Sequence, residues 1–529
     1  MTFRNSVLGL TRFLVLLSEV LFRALSSILI CRVIAKSKEW GGILTDNDDL
    51  KVCHRCVGES FLRSYIEREG EVDKCGYCGR EGERCIPIEE LADEIGGAFE
   101  RHYYRTSDQP DEFESMLLRD RESSYDWDRH GEPVLSAIAD AASIEDDIAQ
   151  DVLNLLEDQY SDLEMAQMGE ECEFAAESCY EWKDANDYEF ASEFAAIERS
   201  LKSEARFFNR GAEAFLERLF GNVDGLADRE GRPVIVTAGP ESEIRGFYRA
   251  RVFHKSDELE AAMVRPDLHL GPPPGRTARA GRMNAHGVSV FYGASDSSVA
   301  LAEVRPPVGS RAIIAHFELV RPVRLLDVEA LRSVYFDGSI FDAAYLEQLV
   351  LVKFLGRLSD RVTMPVMPDD EPTEYLITQM IADYLAQRSV PGLDGILFPS
   401  IQCPGEHRNV VLFHHASRVL AMQFSEGTEL TARQYENTED GPEPDYCVWE
   451  EVPEQSQDAD KEQTNDGDAL CFAEMLRPQM YPHDDGDARE ESLRVNIETI
   501  AVHHVKSVTF GAETFSVQWV RLEKQNPLF

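Results

Sequence analysis

Positive charge is scarce in this sequence of 529 residues: 53 lysines and arginines stand against 97 aspartates and glutamates, a formal net charge of −44. A surface this acidic repels phosphate backbones and anionic membranes at long range. We therefore expect no nucleic-acid partner. A small anionic ligand is still compatible with this composition, because a few arginines inside a cleft can reverse the local sign.

Long unbroken apolar runs are also scarce. The most apolar stretch, residues 13–31, is interrupted by Glu19 and Arg23, so it lacks the length of a good transmembrane span. The two charged residues are an i,i+4 pair on one polar stripe, which predicts an amphipathic helix within residues 1–45. Three interpretations stay open: a helix packed on the protein's own core, a start codon assigned too far upstream, or weak membrane-surface contact through residues 6–33.

The sequence shows no evident cleavable signal peptide and no disulfide-scaffold pattern. Its 11 cysteines are an odd number, and four of them fall into two CxxC pairs within residues 53–78. This usage fits a reducing compartment and a metal site better than a disulfide framework. We therefore expect the protein to be cytoplasmic.

The two CxxC pairs are separated by 18 residues and consist of Cys53, Cys56, Cys75 and Cys78. Each pair presents two thiolates on one turn, and four thiolates complete a tetrahedral zinc shell. His54 and Cys85 are alternative ligands, but two complete pairs need neither. A closed shell of four cysteines has no open position, so the prediction is a structural zinc in a zinc-ribbon-like module over residues 46–90.

Four further regions follow along the chain. Residues 91–225 have the spacing of acidic amphipathic helices, and residues 230–430 alternate short β-rich runs with helical stretches. Residues 436–490 are acidic and almost free of apolar pattern, which predicts a linker or disordered insert. Residues 491–529 return to strand-like alternation. The predicted fold class is therefore α+β, with a small metal-held module and a helical domain before the mixed domain.

Three arginines beside strand-like segments are candidates for binding an anion: Arg249, Arg251 and Arg282. A guanidinium fork suits the paired oxygens of a phosphate or pyrophosphate. Taken singly, an arginine in such a place is more often part of a surface ion pair.

Three other residues in the mixed domain have chemistry suited to a ribose or a planar ring. Tyr292 ends an apolar strand, and its ring could pack on a planar ligand, although a tyrosine there is more often core. Glu303 ends an apolar run, where a carboxylate could stabilise an oxocarbenium-like transition state or simply pair with Arg305. Ser400 follows a proline at a strand end, where it could face a cleft or cap a turn.

The ordered set of these residues resembles the RES domain family, named for its Arg, Glu and Ser residues. The resemblance covers most of residues 240–420. It is most specific in Gly281-Arg282, Phe291-Tyr-Gly-Ala, Ala300-Leu-Ala-Glu303 and Asp394-Gly-Ile-Leu-Phe-Pro-Ser400. The cysteine module and helical region before it are similar to the N-terminal part of HEPN/RES-type proteins.

The resemblance implies an ADP-ribosyltransferase-like fold and breakdown of NAD+ by phosphorolysis or hydrolysis. It also implies a growth-arresting toxin or defence effector with a cognate antitoxin or immunity protein. Residue by residue, it implies site roles for Arg249, with Arg251 a less certain neighbour, and for Arg282, Tyr292, Glu303 and Ser400. Arg249, Arg251, Arg282, Tyr292 and Ser400 are also implied in binding the dinucleotide, and Glu303 would hold its ribose hydroxyls.

One departure concerns the helical region. Nucleases of the HEPN class use an Arg-x4–6-His motif, but Arg129 adjoins His130, and Arg121 is too far from that histidine. We therefore expect a scaffold or partner surface there, not a nuclease. Two alternative functions remain for the chain: protein ADP-ribosylation, and a non-enzymatic binding module.

Overall fold

The structure, a computed structural model, describes residues 50–120, 122–161, 171–204, 206–387, 392–403, 405–439, 441–453, 487–509, 511 and 513–519. It divides into two compact units. The first comprises Met1–Lys183 and Ser339–Asp342, and the second comprises Asp184–Gly338 and Ala343–Phe529. The amphipathic helix predicted for residues 1–45 lies outside the described residues.

The first unit begins with a small antiparallel sheet and continues with helices. Its elements are β1 (Lys51–Cys53), α1 (Ser60–Glu69), β2 (Glu71–Lys74), β3 (Glu81–Pro87), α2 (Ile88–His102), β4 (Tyr103–Arg105), α3 (Glu112–Arg119), β5 (Glu132–Pro133), α4 (Val134–Ala142), α5 (Asp146–Gln159) and β6 (Cys179–Trp182). Strand β3 lies between β1 and β2, and β6 lies between β4 and β5.

The core of the first unit follows from helical spacing. Leu91, Ile95 and Phe99 recur on one face of α2, and Ile148 and Val152 recur on one face of α5; all are buried in one cluster. Side chains three or four positions apart share a helix face, so each helix turns one apolar stripe inward. This unit is the frame that carries the four cysteines.

The second unit contains a nine-stranded sheet with helices. Its elements are α6 (Tyr188–Ser203), α7 (Arg210–Phe220), β7 (Ile235–Ala238), β8 (Gly246–Phe253), α8 (Ser256–Val264), α9 (Pro266–His269), β9 (Phe291–Ala294), α10 (Ser297–Glu303), β10 (Arg311–Leu319), β11 (Val323–Asp327), α11 (Ala343–Thr363), α12 (Glu371–Gln387), β12 (Gly395–Pro399), β13 (Arg408–Leu412), β14 (Arg418–Val419), β15 (Glu429–Thr438), β16 (Gly441–Glu451) and β17 (Glu491–His504).

The strand order of the large sheet is β14-β17-β10-β8-β9-β13-β12-β11-β7. Most neighbours are antiparallel; the parallel pairs are β14 with β17 and β11 with β12, and the latter two strands are joined through α11 and α12. A parallel pair needs such a crossover, because its strands run in the same direction. The predicted α+β class is confirmed. Across the described ranges, no helix has the length and apolar character needed to cross a membrane.

Both faces of this sheet are covered, as the alternation along its strands requires. On β13, Val410 belongs to a buried cluster with residues of α8, whereas Val411 belongs to a second cluster with residues of α11 and α12. On β12, Leu397 and Ile396 divide between the two clusters in the same way. The strands that carry the candidate site are therefore fixed from two sides.

The predicted boundary of the helical domain, residue 225, falls later than the division in the structure. Helices α6 and α7 belong to the second unit, which begins at Asp184. Phe194 of α6 and Phe215 of α7 each place their rings 5.7 Å from that of Phe354 on α11. Amphipathic spacing identifies the apolar face of a helix but not the core it joins, so the sequence alone misassigned these helices.

The predicted linker over residues 436–490 is wrong for its first part. Strands β15 and β16 pair as an antiparallel hairpin that runs to Glu451. Gln434 in this hairpin is buried, and its amide donates to Glu260 (2.7 Å). Polar side chains with specific partners hold this hairpin, so it lacks the apolar alternation that marks a strand. Residues 454–486 lie outside the described residues.

Candidate functional site

A cluster of four thiols lies in the first unit. Cys53 ends β1, Cys56 follows in a turn, and Cys75 and Cys78 lie in the turn between β2 and β3. In the second turn, the amide of Gly79 donates to the carbonyl of Cys75 (3.1 Å). Gly79 has φ of +71°, a backbone conformation that glycine adopts without steric cost. The backbone of the two CxxC turns therefore brings the two pairs face to face.

The spacing of the sulfur atoms fits a metal ion. Cys53 Sγ lies 3.7 Å from Cys56 Sγ and 3.6 Å from Cys78 Sγ, and Cys56 Sγ lies 3.8 Å from Cys75 Sγ. Sulfurs placed about 2.3 Å from a tetrahedral zinc stand about 3.8 Å apart. These four residues can therefore hold a metal ion. Cys85 is buried nearby, but its thiol faces the carbonyls of Asp73 and Glu83 instead.

A cavity of about 480 Å³ lies in the second unit. It opens beside neighbouring strands of the large sheet, because β8, β9, β13 and β12 are adjacent in the strand order. The predicted site residues Arg249, Arg282, Tyr292 and Glu303 all line it. Ser400 is buried beside it in contact with Glu303. The topology thus brings together residues that are far apart in the sequence.

Arg249 is held on β8 by the strand beside it. Its guanidinium donates to the carbonyl of Tyr292 (3.0 Å) and lies 5.0 Å from the ring centroid of Phe291. Burial, with Arg251 nearby, lowers the pKa of Arg249 to about 9. The side chain therefore stays protonated at neutral pH, and it supplies a positive charge inside the cavity.

Arg282 is anchored at the end of α11. Its guanidinium donates to the carbonyls of Val362 (2.6 Å) and Met364 (2.8 Å), and it lies 5.4 Å from the ring centroid of Tyr375. The last carbonyls of a helix lack partners within the helix, so an arginine satisfies them well. Arg282 consequently has a structural role. The same two hydrogen bonds fix the position of its guanidinium and therefore of its remaining N–H groups.

Tyr292 is locked by its hydroxyl group. The hydroxyl donates to Asn284 Oδ1 (2.9 Å) and accepts from the amide of Met283 (3.0 Å). Burial raises the pKa of Tyr292, so the phenol stays neutral. A Cβ on Gly281 would lie only 2.7 Å from this hydroxyl oxygen, which explains why glycine is needed there. Tyr292 presents a fixed aromatic surface to the cavity.

Glu303, at the end of α10, is oriented by two donors on other elements. Ser400 Oγ donates to Glu303 Oε1 (2.8 Å), and Asn409 Nδ2 donates to the same oxygen (2.7 Å). Among the described residues, Glu303 Oε2 accepts no hydrogen bond, and no ion pair joins Glu303 to Arg305. One oxygen is therefore fixed by the scaffold, and the other is available as an acceptor.

Asn409 is a site residue that the sequence did not single out. It lines the cavity and is buried, and its Oδ1 atom has no hydrogen-bond partner in the described part of the chain. A buried acceptor without a partner is costly, so a ligand donor is its natural complement. The sequence feature that could have identified Asn409 is its position as a polar residue directly before the apolar residues of β13.

Arg251 lies elsewhere than the other candidates. Its guanidinium donates to the carbonyl of His269 at the end of α9, and it is absent from the lining of the described cavity. Two residues of β8 separated by one position point to the same side of a sheet, so the sequence could not distinguish them.

A comparison with known families identifies a domain that covers the residues of this cavity. Residues 247–432 match the family model of the RES domain, which confirms the resemblance. The RES family is associated with NAD+-related toxin function. No curated protein and no solved structure gives a significant match to the chain.

Proposed function

We propose that the RES domain binds NAD+ in the 480 Å³ cavity and breaks its nicotinamide–ribose bond. The observation that carries this proposal is the carboxylate of Glu303, which Ser400 and Asn409 orient beside two arginines and an aromatic ring. Such a combination offers one group for each part of a dinucleotide: cations for the pyrophosphate, a ring surface for a planar base, and a carboxylate for the ribose.

Binding is assigned to the cationic and aromatic residues. Arg249 and Arg282 contact the pyrophosphate, and Tyr292 stacks near the nicotinamide or its ribose. In a chain whose net charge is −44, these buried or anchored arginines make the cavity locally attractive to an anion. The unsatisfied oxygen of Asn409 accepts from a ligand N–H or O–H group.

Cleavage is dissociative in this proposal. The C–N bond breaks with its electron pair on nicotinamide, which thereby loses the positive charge it carries in NAD+ and leaves without protonation. Positive charge develops on the ribose carbon and ring oxygen, and the Glu303 carboxylate stabilises it. Water or inorganic phosphate then adds at that carbon; a water molecule releases one proton on addition. Ser400 contributes by orienting Glu303.

The test uses the purified full chain and NAD+ that carries a label on its ADP-ribose part. The expected result is release of nicotinamide with the label in small products, namely ADP-ribose without phosphate or its 1″-phosphate with phosphate. Label attached to protein would indicate ADP-ribosylation instead. Unchanged NAD+ with folded protein would contradict the proposal and favour a binding module.

A growth-arresting role is proposed on the same basis, because depletion of NAD+ stops metabolism. Expression of the wild-type chain should lower cellular NAD+ and arrest growth, whereas a Glu303→Gln chain should do neither. The partner that would hold such an activity in check is proposed to be a cognate antitoxin or immunity protein. Arrest by both chains with normal NAD+ would contradict the link.

For the first unit we propose a bound structural zinc. Sulfur–sulfur distances of 3.6–3.8 Å are those of a tetrahedral shell. All four positions are filled by protein ligands, so such a metal orders the chain and offers no site for substrate. Metal analysis of reduced, purified protein should give about one zinc per chain.

A further inference from the structure

A third arginine, Arg305, lines the cavity and lies two residues after Glu303 in the sequence. It is exposed, and in the described part of the chain its guanidinium has neither a hydrogen-bond nor an ion-pair partner. Arg249 and Arg282 both use guanidinium N–H groups in hydrogen bonds to backbone carbonyls. Glu371 also lines the cavity, but its carboxylate accepts from Tyr375 (3.1 Å). Among the described residues that line the cavity, Arg305 is therefore the cation whose guanidinium keeps all of its donors available.

The backbone of Arg305 adds an independent observation. Helix α10 ends at Glu303, Val304 is its C-cap, and Arg305 has φ of +44°, in the left-handed region. Its amide donates to the carbonyl of Ala302 (3.1 Å), which is one of the two bonds of a Schellman helix ending; the other cannot form, because Pro306 follows and has no N–H. That position is normally occupied by glycine, which has no steric cost there.

An arginine at this position therefore carries a backbone cost that glycine would avoid. Among the described residues, its side chain makes no hydrogen bond or ion pair that offsets this cost. This left-handed residue lines the same cavity as Glu303 and lies two residues after it. A strained residue with an unpartnered charge at a cavity indicates that the compensating partner is a ligand.

We propose that Arg305 is a ligand-contacting residue that binds a phosphate group in this cavity. The proposal rests on the proposed function and assigns this residue its anionic contact. The phosphate has two chemical sources, the pyrophosphate of the dinucleotide and the inorganic phosphate that acts as acceptor. Both present paired oxygens to a guanidinium fork.

The test compares wild type with Arg305→Asn, because asparagine tolerates the left-handed backbone but has no charge. We expect its melting temperature to be no lower than that of wild type. A pyrophosphate contact predicts a roughly 10- to 100-fold higher KM for NAD+ and Kd for ADP-ribose, with little change in kcat. An acceptor contact predicts that the KM for phosphate rises by a similar factor while ADP-ribose binding is unchanged. Arg305→Lys should lie between.

The matched control is Arg276→Asn, since Arg276 is also exposed but lies outside the lining of the cavity. It should leave all these constants unchanged. A folded Arg305→Asn protein with unchanged constants for NAD+, ADP-ribose and phosphate would overturn the proposal. If wild type binds ADP-ribose but does not cleave NAD+, the proposed function fails while the binding comparison still decides the role of Arg305. A wild-type chain that binds neither ADP-ribose nor phosphate overturns both.

Discussion

The cysteine cluster and the RES cavity gather their residues in opposite ways. The four cysteines come from two short turns within residues 53–78, so local backbone geometry brings them together. Glu303 meets Ser400 and Asn409 across 97 and 106 residues of sequence, and only the strand order joins them. A local motif can thus be read from spacing, whereas a site on a sheet depends on topology.

Because the four cysteines depend on one another locally, we expect loss of one cysteine to have the largest effect on stability of the substitutions considered. This effect should be confined to the first unit. Cys53→Ser should remove the zinc, whose binding contributes about 10 kcal/mol or more in small zinc modules. We expect loss of stoichiometric metal and of the cooperative unfolding of that unit. Zinc analysis and thermal unfolding measure this.

Cys172→Ser is the matched control, because Cys172 lies outside the cluster. It should keep the metal and the unfolding transition. A Cys53→Ser protein that keeps one zinc and normal unfolding would show that the cluster is incidental.

Loss of the central carboxylate should affect the second unit chemically rather than structurally. Glu303→Gln keeps the shape and removes the charge that stabilises the developing cation. Removing one preorganised electrostatic partner costs about 10²–10³ in rate, so kcat should fall by that factor. KM should change little, because the group acts mainly in the transition state. Steady-state kinetics decide; a KM effect without a kcat effect would refute the role.

Arg282→Ala should combine a binding loss with a stability loss. The side chain holds the carbonyls of Val362 and Met364, so leaving them unpaired should lower the free energy of unfolding by about 1–3 kcal/mol. Loss of a charged contact to phosphate should raise the KM for NAD+ about tenfold.

Denaturant unfolding and kinetics on the same Arg282→Ala preparation separate the two effects. A stability loss with an unchanged KM would leave Arg282 with a structural role alone.

The smallest expected effect concerns the support of Glu303 by Asn409. Asn409→Ala should reduce kcat about tenfold, the cost of one hydrogen bond to a charged group. Asn409→Asp should behave differently, since two carboxyl groups within 2.7 Å cannot both ionise easily. A proton shared by the pair reduces the negative charge that Glu303 offers to the developing cation, so the dependence of kcat on pH should differ from that of the wild type. A wild-type pH profile for Asn409→Asp would break the assignment.

The sequence singled out the four cysteines that cluster in the structure and four residues that line the cavity, Arg249, Arg282, Tyr292 and Glu303. What it missed has physical reasons. Gly281, Tyr292 and Glu303 lie in short motifs whose order marks a RES domain, so the resemblance led to them. Asn409 and Arg305 were not predicted as site residues, because their roles depend on the pairing of β9 with β13 and on a left-handed helix ending. Neither feature has a periodic pattern. Arg251 is the opposite case: it was predicted as a site residue but does not line the cavity. It lies two positions from Arg249 on β8, so strand alternation places both arginines on the same side of the sheet.

The most direct measurement is the rate of nicotinamide release from NAD+ by the purified wild-type, Glu303→Gln and Glu241→Gln proteins. Glu241 is an exposed carboxylate away from the cavity lining, so its variant controls for loss of a charge alone. We predict release by the wild type and by Glu241→Gln, with a rate about 10²–10³ lower for Glu303→Gln. Equal rates for all three folded proteins, or no release by any of them, would contradict the assignment of this cavity as a site of NAD+ cleavage.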